Sequence, residues 1–239
     1  GKTAFEAMYA TAQQDRFDPF ADWLVEQKWD GVHRLNGWLK DYAAAPDDRY
    51  TQLVAKNFLI GAVAVTLSPE THAVDTVMVL CGPEYRGKSR LLRILASEEY
   101  FSDSVRDITN KDSLLLMERP VIMEIAELDK LMQYDDADVK SFITTRNAVV
   151  RPSYARVARP VIRRAVLAAT TNESQFLKST TGNRRFLPVQ CPSDCDYDGL
   201  KLVRDQLWAE ALHRYKKGET WWLSDKEDFR GAQKVQEEA

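Results

Sequence analysis

Apolar residues follow a helical spacing in the first part of the chain. Phe20, Trp23 and Leu24 are three and four positions apart, which is typical of one buried face of an α-helix. A longer helix is predicted over residues 50–67, where apolar residues recur until a serine and a proline end the pattern. We therefore predict a helical N-terminal region over residues 1–75.

The spacing changes after this region, where short apolar runs alternate with helical stretches. Residues 76–81, 121–123 and 165–172 form apolar runs that each lead into polar residues, which is typical of buried strands. Alternating buried strands and helices favour an α/β fold with a mostly parallel sheet. We expect this core to span residues 76–195 and a C-terminal helical segment to span residues 196–239.

The first predicted strand leads into the pattern G-x-x-x-x-G-K-S, with Gly82, Gly87, Lys88 and Ser89 at its fixed positions. In a phosphate-binding loop, glycines let backbone N–H groups converge on a phosphate, and the helix that follows adds its N-terminal partial charge. The lysine reaches the β- and γ-phosphates, and the serine hydroxyl binds Mg²⁺. The pattern therefore predicts a nucleotide site between a strand and a helix. The residues expected to line the nucleotide are Gly82, Pro83, Glu84, Tyr85, Arg86, Gly87, Lys88, Ser89 and Arg90.

Polar side chains follow the next two predicted strands. Glu124 ends the strand 121–123, and a carboxylate beside a phosphate loop can hold Mg²⁺ and its waters. Glu127 can polarise the attacking water as a general base, although it would also suit the first turn of a helix. Asn172 ends the strand 165–172, where its amide can hold the water that attacks the γ-phosphate.

The chain carries a formal net charge of only -3, so a nucleic-acid partner must be met by a local basic patch. Residues 139–172 contain no acidic residue and hold six arginines, and Pro152 and Pro160 bracket a possible hairpin. Arginine interleaved with an aromatic ring is typical of surfaces that follow a phosphate backbone and stack on bases. A solvated strand face paired with acids elsewhere is the alternative. The residues expected to bind nucleic acid are Arg146, Arg151, Tyr154 and Arg156.

Arg184 and Arg185 precede a further apolar run. Because they are adjacent, their side chains would point in opposite directions in an extended segment. One could then reach the nucleotide of a neighbouring subunit while the other binds locally. An arginine that reaches a transferring phosphoryl group stabilises transition-state charge and can supply on the order of 10³ to 10⁵ in rate.

Cysteine usage and hydropathy indicate where the protein works. Cys81, Cys191 and Cys195 are too few for a disulfide framework, which predicts a reducing, cytoplasmic environment. Cys191 and Cys195 form a C-x₃-C pair without a second pair, so we expect no zinc site. The longest apolar stretch, residues 58–67, is too short to cross a membrane, so no membrane partner is expected. Both ends of the chain look like cuts in a longer protein.

Several motifs occur together in one order, namely GPEYRGKS, VIMEIAELD, VVRPSYAR, AATTN and TGNRRFLPV. This set resembles the virulence-associated E family of primase-helicase proteins from phages, plasmids and genomic islands. It is also similar to the superfamily 3 helicases, an AAA+ type class. With FDPFADWL and WDGVHRL upstream, the resemblance covers nearly the whole chain.

The resemblance implies a P-loop ATPase that forms a ring, expected to be a hexamer, and moves along single-stranded DNA during replication of a mobile element in a bacterial host cell. Lys88 and Ser89 would carry the Walker A role, Glu124 the Walker B role and Asn172 the sensor role. Residues 151–156 match the position of a pore hairpin. Partners implied by the family are a primase domain and other replication proteins. Arg184 and Arg185 match the region where the family has an arginine finger, which is an arginine that reaches the nucleotide of a neighbouring subunit.

Tyr85 departs from the pattern of such loops, which usually have a small residue at its position. If the position needs φ > 0, tyrosine is strained there and nucleotide affinity falls. Two other functions therefore remain open. One is an ATP-gated initiator that binds DNA without unwinding it, and the other is a DNA-binding or assembly scaffold whose nucleotide site is degenerate.

Overall fold

A computed structural model describes residues 18–239 except residues 111, 127, 152, 154–156, 174–175, 177–182 and 224–225. Within these residues the helices are α1 (Pro19–Glu26), α2 (Trp38–Ala43), α3 (Arg49–Leu67), α4 (Lys88–Ala96), α5 (Asp112–Leu115), α6 (Leu128–Leu131), α7 (Asp136–Thr144), α8 (Tyr197–Lys216) and α9 (Lys226–Glu238). The strands are β1 (Val77–Cys81), β2 (Phe101–Ser102), β3 (Ile122–Ile125), β4 (Asn147–Val150), β5 (Arg159–Ile162), β6 (Val166–Thr171) and β7 (Phe186–Gln190). Three helices thus precede a region of mixed strands and helices.

Short polar side chains start the first helices. The Asp18 carboxylate accepts a hydrogen bond from the backbone N–H of Ala21 at 3.1 Å, and a proline occupies the first turn of α1. Asp48 caps α3 in the same way, with a distance of 2.7 Å to the N–H of Thr51. These caps satisfy backbone donors that have no partner inside the helix.

In the described part of the chain, five parallel strands form one sheet in the order β2-β3-β6-β1-β7. Strands β4 and β5 form a separate antiparallel hairpin. The predicted α/β class with a mostly parallel sheet is therefore confirmed. Because all five strands run the same way, the residues that follow β1, β3 and β6 meet at one edge of the sheet, the carboxyl edge. The opposite edge is the amino edge.

Alternation along the strands separates two hydrophobic clusters. Met78 and Leu80 face a cluster that includes α1 to α4 and α8, whereas Val77, Val79 and Cys81 face the cluster on the other side of the sheet. Residues from all three predicted stretches of the chain contribute to the first cluster. The boundaries at residues 75 and 195 stay predictions.

Helix α3 lies in the centre of this first cluster. It is long and apolar enough to cross a membrane by length and composition, but 78% of its apolar window is buried within the fold. Its apolar surface is therefore covered by protein, as in the core helix of a soluble protein.

Candidate functional site

A pocket of about 380 Å³ opens at the carboxyl edge of the sheet, above β1 and β6. From β1 the chain continues to β2, which lies on one side of β1 in the sheet. From β6 it continues to β7, which lies on the other side of β1. Ligands of open parallel sheets bind at such a reversal of strand order. The pocket is lined by Glu84, Tyr85, Arg86, Gly87, Lys88, Ser89, Arg90, Thr170 and Asn172.

Two glycines fix the shape of loop 82–87. A Cβ atom at Gly82 would lie 2.1 Å from the carbonyl oxygen of Cys191, so only glycine fits against this backbone. Gly87 has φ 83°, in the left-handed region that favours glycine. The backbone N–H of Cys195 donates to the carbonyl of Arg86 at 2.9 Å. The loop is therefore held against the segment that follows β7.

The three cysteines pack beneath this loop as free, buried thiols. Burial raises the pKa of Cys81 to about 12 and also raises the pKa values of Cys191 and Cys195. These thiols are therefore protonated near neutral pH and act as small apolar side chains.

Lys88 reaches back over the loop from the first turn of α4. Its Nζ donates to the carbonyl oxygens of Gly82 at 2.6 Å and Pro83 at 2.7 Å, and to Asn172 Oδ1 at 3.2 Å. The residue is only 6% exposed, and burial lowers its pKa. All three ammonium donors are thus held by neutral oxygens. A phosphate oxygen, which carries charge, is a stronger acceptor for the same donors.

Glu124 lies beneath Ser89 and is 1% exposed. Its Oε1 accepts hydrogen bonds from Ser89 Oγ at 2.6 Å and from Thr170 Oγ1 at 2.7 Å. Glu124 was predicted at the end of its strand, and it is the third of the four residues of β3, which ends at the buried Ile125.

These oxygens can hold a Mg²⁺ ion. Mg²⁺ prefers oxygen ligands and binds proteins through one or two carboxylates together with waters and phosphate oxygens. Ser89 Oγ and the Glu124 carboxylate are 2.6 Å apart and provide two such ligands, with Thr170 Oγ1 beside them. Sequence reasoning missed Thr170. The sequence could have indicated it, because residues two positions apart in a strand face the same side of the sheet. Ala168 faces the cluster that contains the leucines of α4, so Thr170 faces the same side.

Asn172 connects Lys88 to the loop. Its Oδ1 accepts from Lys88, and its Nδ2 donates to Glu84 Oε1 at 3.0 Å. The side chain lies at the carboxyl edge, directly after β6, where the sequence predicts it. Glu84 therefore places a carboxylate at the mouth of the pocket, a contact that the loop pattern does not predict. Glu127 lies outside the described residues.

Arg184 and Arg185 lie at the amino edge of the sheet. Arg185 directly precedes Phe186, which pairs with Val77 at the start of β1, whereas loop 82–87 follows the end of β1. Five residues of strand separate the two edges by about 16 Å. Neither arginine can therefore contact the loop of its own chain. Asn183–Arg185 form a 3₁₀ turn instead of the extended segment in which adjacent side chains would point in opposite directions, and such a turn sets successive side chains about 120° apart.

The predicted basic hairpin is formed by β4 and β5. Arg151 is exposed just after β4, and Arg146 lies at the base, where its Nη1 donates to the carbonyl of Thr71 at 3.2 Å. Tyr154 and Arg156 lie outside the described residues.

Besides Arg146, three more of the six arginines in this segment bind protein groups within the described residues. Arg159 makes two hydrogen bonds to the Glu118 carboxylate, at 2.7 and 2.5 Å. Arg163 is 3% exposed and donates to the carbonyl of Val74 at 2.7 Å, and Arg164 pairs with Asp18. Arg159 and Arg164 thus pair with acids elsewhere in the chain, as the structural alternative expects, whereas Arg163 is buried and does not lie on a solvated face.

Tyr85 has φ 60°, in the left-handed region, and is 98% exposed. This conformation costs a residue with a Cβ atom roughly 1–2 kcal/mol. Tyr85 is therefore strained, as the sequence analysis expects for a positive φ at this position. No burial of the ring compensates for it within the chain.

Comparison with known proteins identifies the family. Residues 24–239 match the model of the virulence-associated protein E-like domain, so the chain belongs to that family. No curated protein matches the sequence significantly.

The fold is similar to that of the NrS-1 C-terminal region. An apo structure of that region has a TM-score of 0.63 and 14% identity, and the match covers 94% of this chain and 55% of that chain. A second apo structure, the A form, has a TM-score of 0.59 and 15% identity over 92% of this chain and 55% of that chain. The chain thus spans about half the length of the structures it matches.

Replacement of Tyr85 by glycine should raise the free energy of unfolding by about 1 kcal/mol, because glycine adopts φ 60° without strain. Urea unfolding measures the change. Tyr85→Ala is the matched control, since it removes the exposed ring but keeps the Cβ atom, and it should leave stability unchanged. An equal gain for both variants would show that the ring, not the backbone, is the source of the cost.

Proposed function

We propose that the chain is the ATP-dependent DNA helicase or translocase domain of a mobile-element replication protein. One observation carries the proposal. The start of α4 provides Lys88 and Ser89, β3 provides Glu124, and Asn172 follows β6. Hydrogen bonds join Lys88 to Asn172 and Ser89 to Glu124 at one pocket. A P-loop ATPase needs these four side-chain types at these places.

The nucleotide would bind with its phosphates over loop 82–87. Lys88 would exchange its contacts with the carbonyls of Gly82 and Pro83 for the β- and γ-phosphate oxygens. Ser89 and Glu124 would hold Mg²⁺, which would neutralise phosphate charge at the site. Asn172 would keep its amide at the γ-phosphate and hold the attacking water there.

Arg184 and Arg185 would complete the site of a neighbouring copy. Because they lie at the edge of the sheet opposite to loop 82–87, head-to-tail contact would bring the arginines of one copy to the loop of the next. Contacts of this kind close into a ring, here proposed to be a hexamer. Each ATP would then lie at a subunit boundary.

The β4–β5 hairpin would grip single-stranded DNA. Arg151 is exposed at its described end, and Arg146 lies at its base. Membership in the virulence-associated protein E-like family supports a role in DNA replication. A primase domain or other replication proteins would act with this domain.

A degenerate nucleotide site is the second candidate function. Two observations favour it: Tyr85 has φ 60°, and Lys88 is bound by the carbonyls of its own loop. The chain would then serve as a DNA-binding or assembly scaffold. Calorimetry with ATP and Mg²⁺ separates the two functions, because only the ATPase binds nucleotide.

Replacement of Lys88 by alanine should lower DNA-stimulated ATP hydrolysis by about 100-fold or more, because it removes the charge that stabilises the β- and γ-phosphates. Steady-state hydrolysis with and without single-stranded DNA measures the effect. Lys40→Ala, at a lysine whose side chain is 49% exposed, is the control and should keep the wild-type rate. Wild-type hydrolysis by the Lys88 variant would rule out this site.

Replacement of Arg151 by alanine should weaken binding of single-stranded DNA and reduce the slope of log K against log salt by about 0.7, the value for one phosphate contact. Fluorescence anisotropy over a range of salt concentrations measures the slope. Arg119→Ala removes an exposed arginine that pairs with Glu99 and should leave the slope unchanged. Equal slopes for Arg151→Ala and the wild type would remove Arg151 from the DNA interface.

Arg184→Ala and Arg185→Ala chains should each be tested for hydrolysis alone and after mixing with Lys88→Ala chains. Each variant alone lacks one half of every site. In an equal mixture, about a quarter of the subunit boundaries would join an intact loop to an intact arginine. Hydrolysis should therefore reappear in the mixture that contains the variant of the arginine that reaches the neighbouring nucleotide. If neither mixture regains activity in a verified oligomer, the arginines do not act across subunits.

A further inference from the structure

A second pocket, of about 300 Å³, opens at the amino edge of the sheet. Its walls are mostly apolar and include Phe58 of α3, Met78 of β1 and Leu187 of β7. Trp221 and Trp222 form a further wall, and Arg184 lies at the pocket. This pocket is separate from the nucleotide site, which lies at the carboxyl edge.

A buried amide lines this apolar pocket. Asn57 is only 6% exposed, and its Oδ1 has no hydrogen-bond partner among the described residues. A buried acceptor without a donor destabilises the fold, so most such groups in proteins are paired. A donor that enters the pocket would satisfy this oxygen.

The tryptophans make the pocket suitable for a ring. Trp221 is fixed by a hydrogen bond from its Nε1 to the carbonyl of Ala73 at 3.3 Å and packs edge-on against His72 at 4.8 Å. Trp222 packs against Trp221 at 4.9 Å and is 54% exposed. An occupant with an aromatic ring and one hydroxyl donor would match both the exposed indole and the unpaired amide.

Tyr85 has these properties and projects from the other edge of the molecule. Its ring is 98% exposed, and its backbone is held at φ 60°. Strain at an exposed residue persists when the conformation serves a function. The proposed head-to-tail ring, on which this inference rests, brings Arg184 of one copy to loop 82–87 of the next. The pocket beside Arg184 then faces Tyr85.

The charges next to the two surfaces are complementary. Glu84 and Arg86 flank Tyr85 in the loop, whereas Arg184 and Asp75 lie at the pocket. Arg86 pairs with Asp194 and Asp75 lies 3.5 Å from Arg163 in the same chain, whereas the Glu84 carboxylate and the Arg184 guanidinium group can pair across the boundary. We propose that Tyr85 of one copy inserts into this pocket of the next copy, with its ring against Trp222 and its hydroxyl donating to Asn57 Oδ1.

Disulfide trapping tests the contact directly. Full chains carrying Tyr85→Cys are mixed with full chains carrying Trp222→Cys in ATP and Mg²⁺, and the mixture is then oxidised. We expect a cross-link between the two kinds of chain in the mixture and little in either variant alone. Leu202→Cys, at a residue that is 87% exposed on α8, replaces Trp222→Cys as the control and should give no cross-link to Tyr85→Cys. Equal cross-linking to both positions, or none to Trp222→Cys, overturns the proposal.

A double-mutant cycle tests the hydrogen bond. Tyr85→Phe and Asn57→Leu should each weaken association of the chains about two- to tenfold, as measured by sedimentation velocity, and the double variant should be no weaker than either. Asn57→Leu should also raise the melting temperature of the dilute chain, because it removes the unpaired amide. Independent, additive losses overturn the contact between the two side chains.

Nucleotide affinity of the dilute chain separates this inference from the proposed function. Asn57→Leu and Trp222→Ala should leave ATP affinity by calorimetry unchanged while they weaken association. If they lower ATP affinity as much as association, the pocket does not act as a docking site. If the wild type binds no ATP, the proposed function fails, whereas the cross-link still decides where Tyr85 lies in an assembly.

Discussion

A single buried carboxylate oxygen connects the three elements that form the candidate site. Glu124 Oε1 accepts from Ser89 on α4 and from Thr170 on β6, and Glu124 itself belongs to β3. A carboxylate that is 1% exposed is stable only when its oxygens are paired or bind a cation. The hydroxyls therefore hold the helix start, the two strands and the pocket floor in one arrangement, and the same oxygens are suited to Mg²⁺.

The polar groups of the site are hydrogen-bonded to one another. Lys88 is bound by the carbonyls of its loop and by Asn172, which in turn donates to Glu84. Phosphate binding would replace these neutral acceptors of Lys88 by charged ones, so part of the binding energy would be used to break existing hydrogen bonds. The hydrogen bond between Lys88 and Asn172 also links the start of α4 to the residue that follows β6.

Local patterns predict much of the fold and of the site, and their failures share one cause. Alternating strands and helices and the glycine-lysine-serine motif predict the parallel sheet and loop 82–87, because both depend on neighbouring residues. The position of Thr170 depends on β6 lying between β3 and β1, an order set by packing of the whole sheet. The arginines behave likewise: Arg159 and Arg164 pair with Glu118 and Asp18, which are far away in sequence.

The placement of Arg184 and Arg185 has a consequence for the cell. If they act on a neighbour's nucleotide, a lone copy carries two halves of a site that cannot meet, because strand β1 lies between them. Newly made chains would then bind ATP without consuming it. Under the proposed function, hydrolysis would begin only where copies assemble, so the length of the five-residue strand β1 would prevent turnover by unassembled chains.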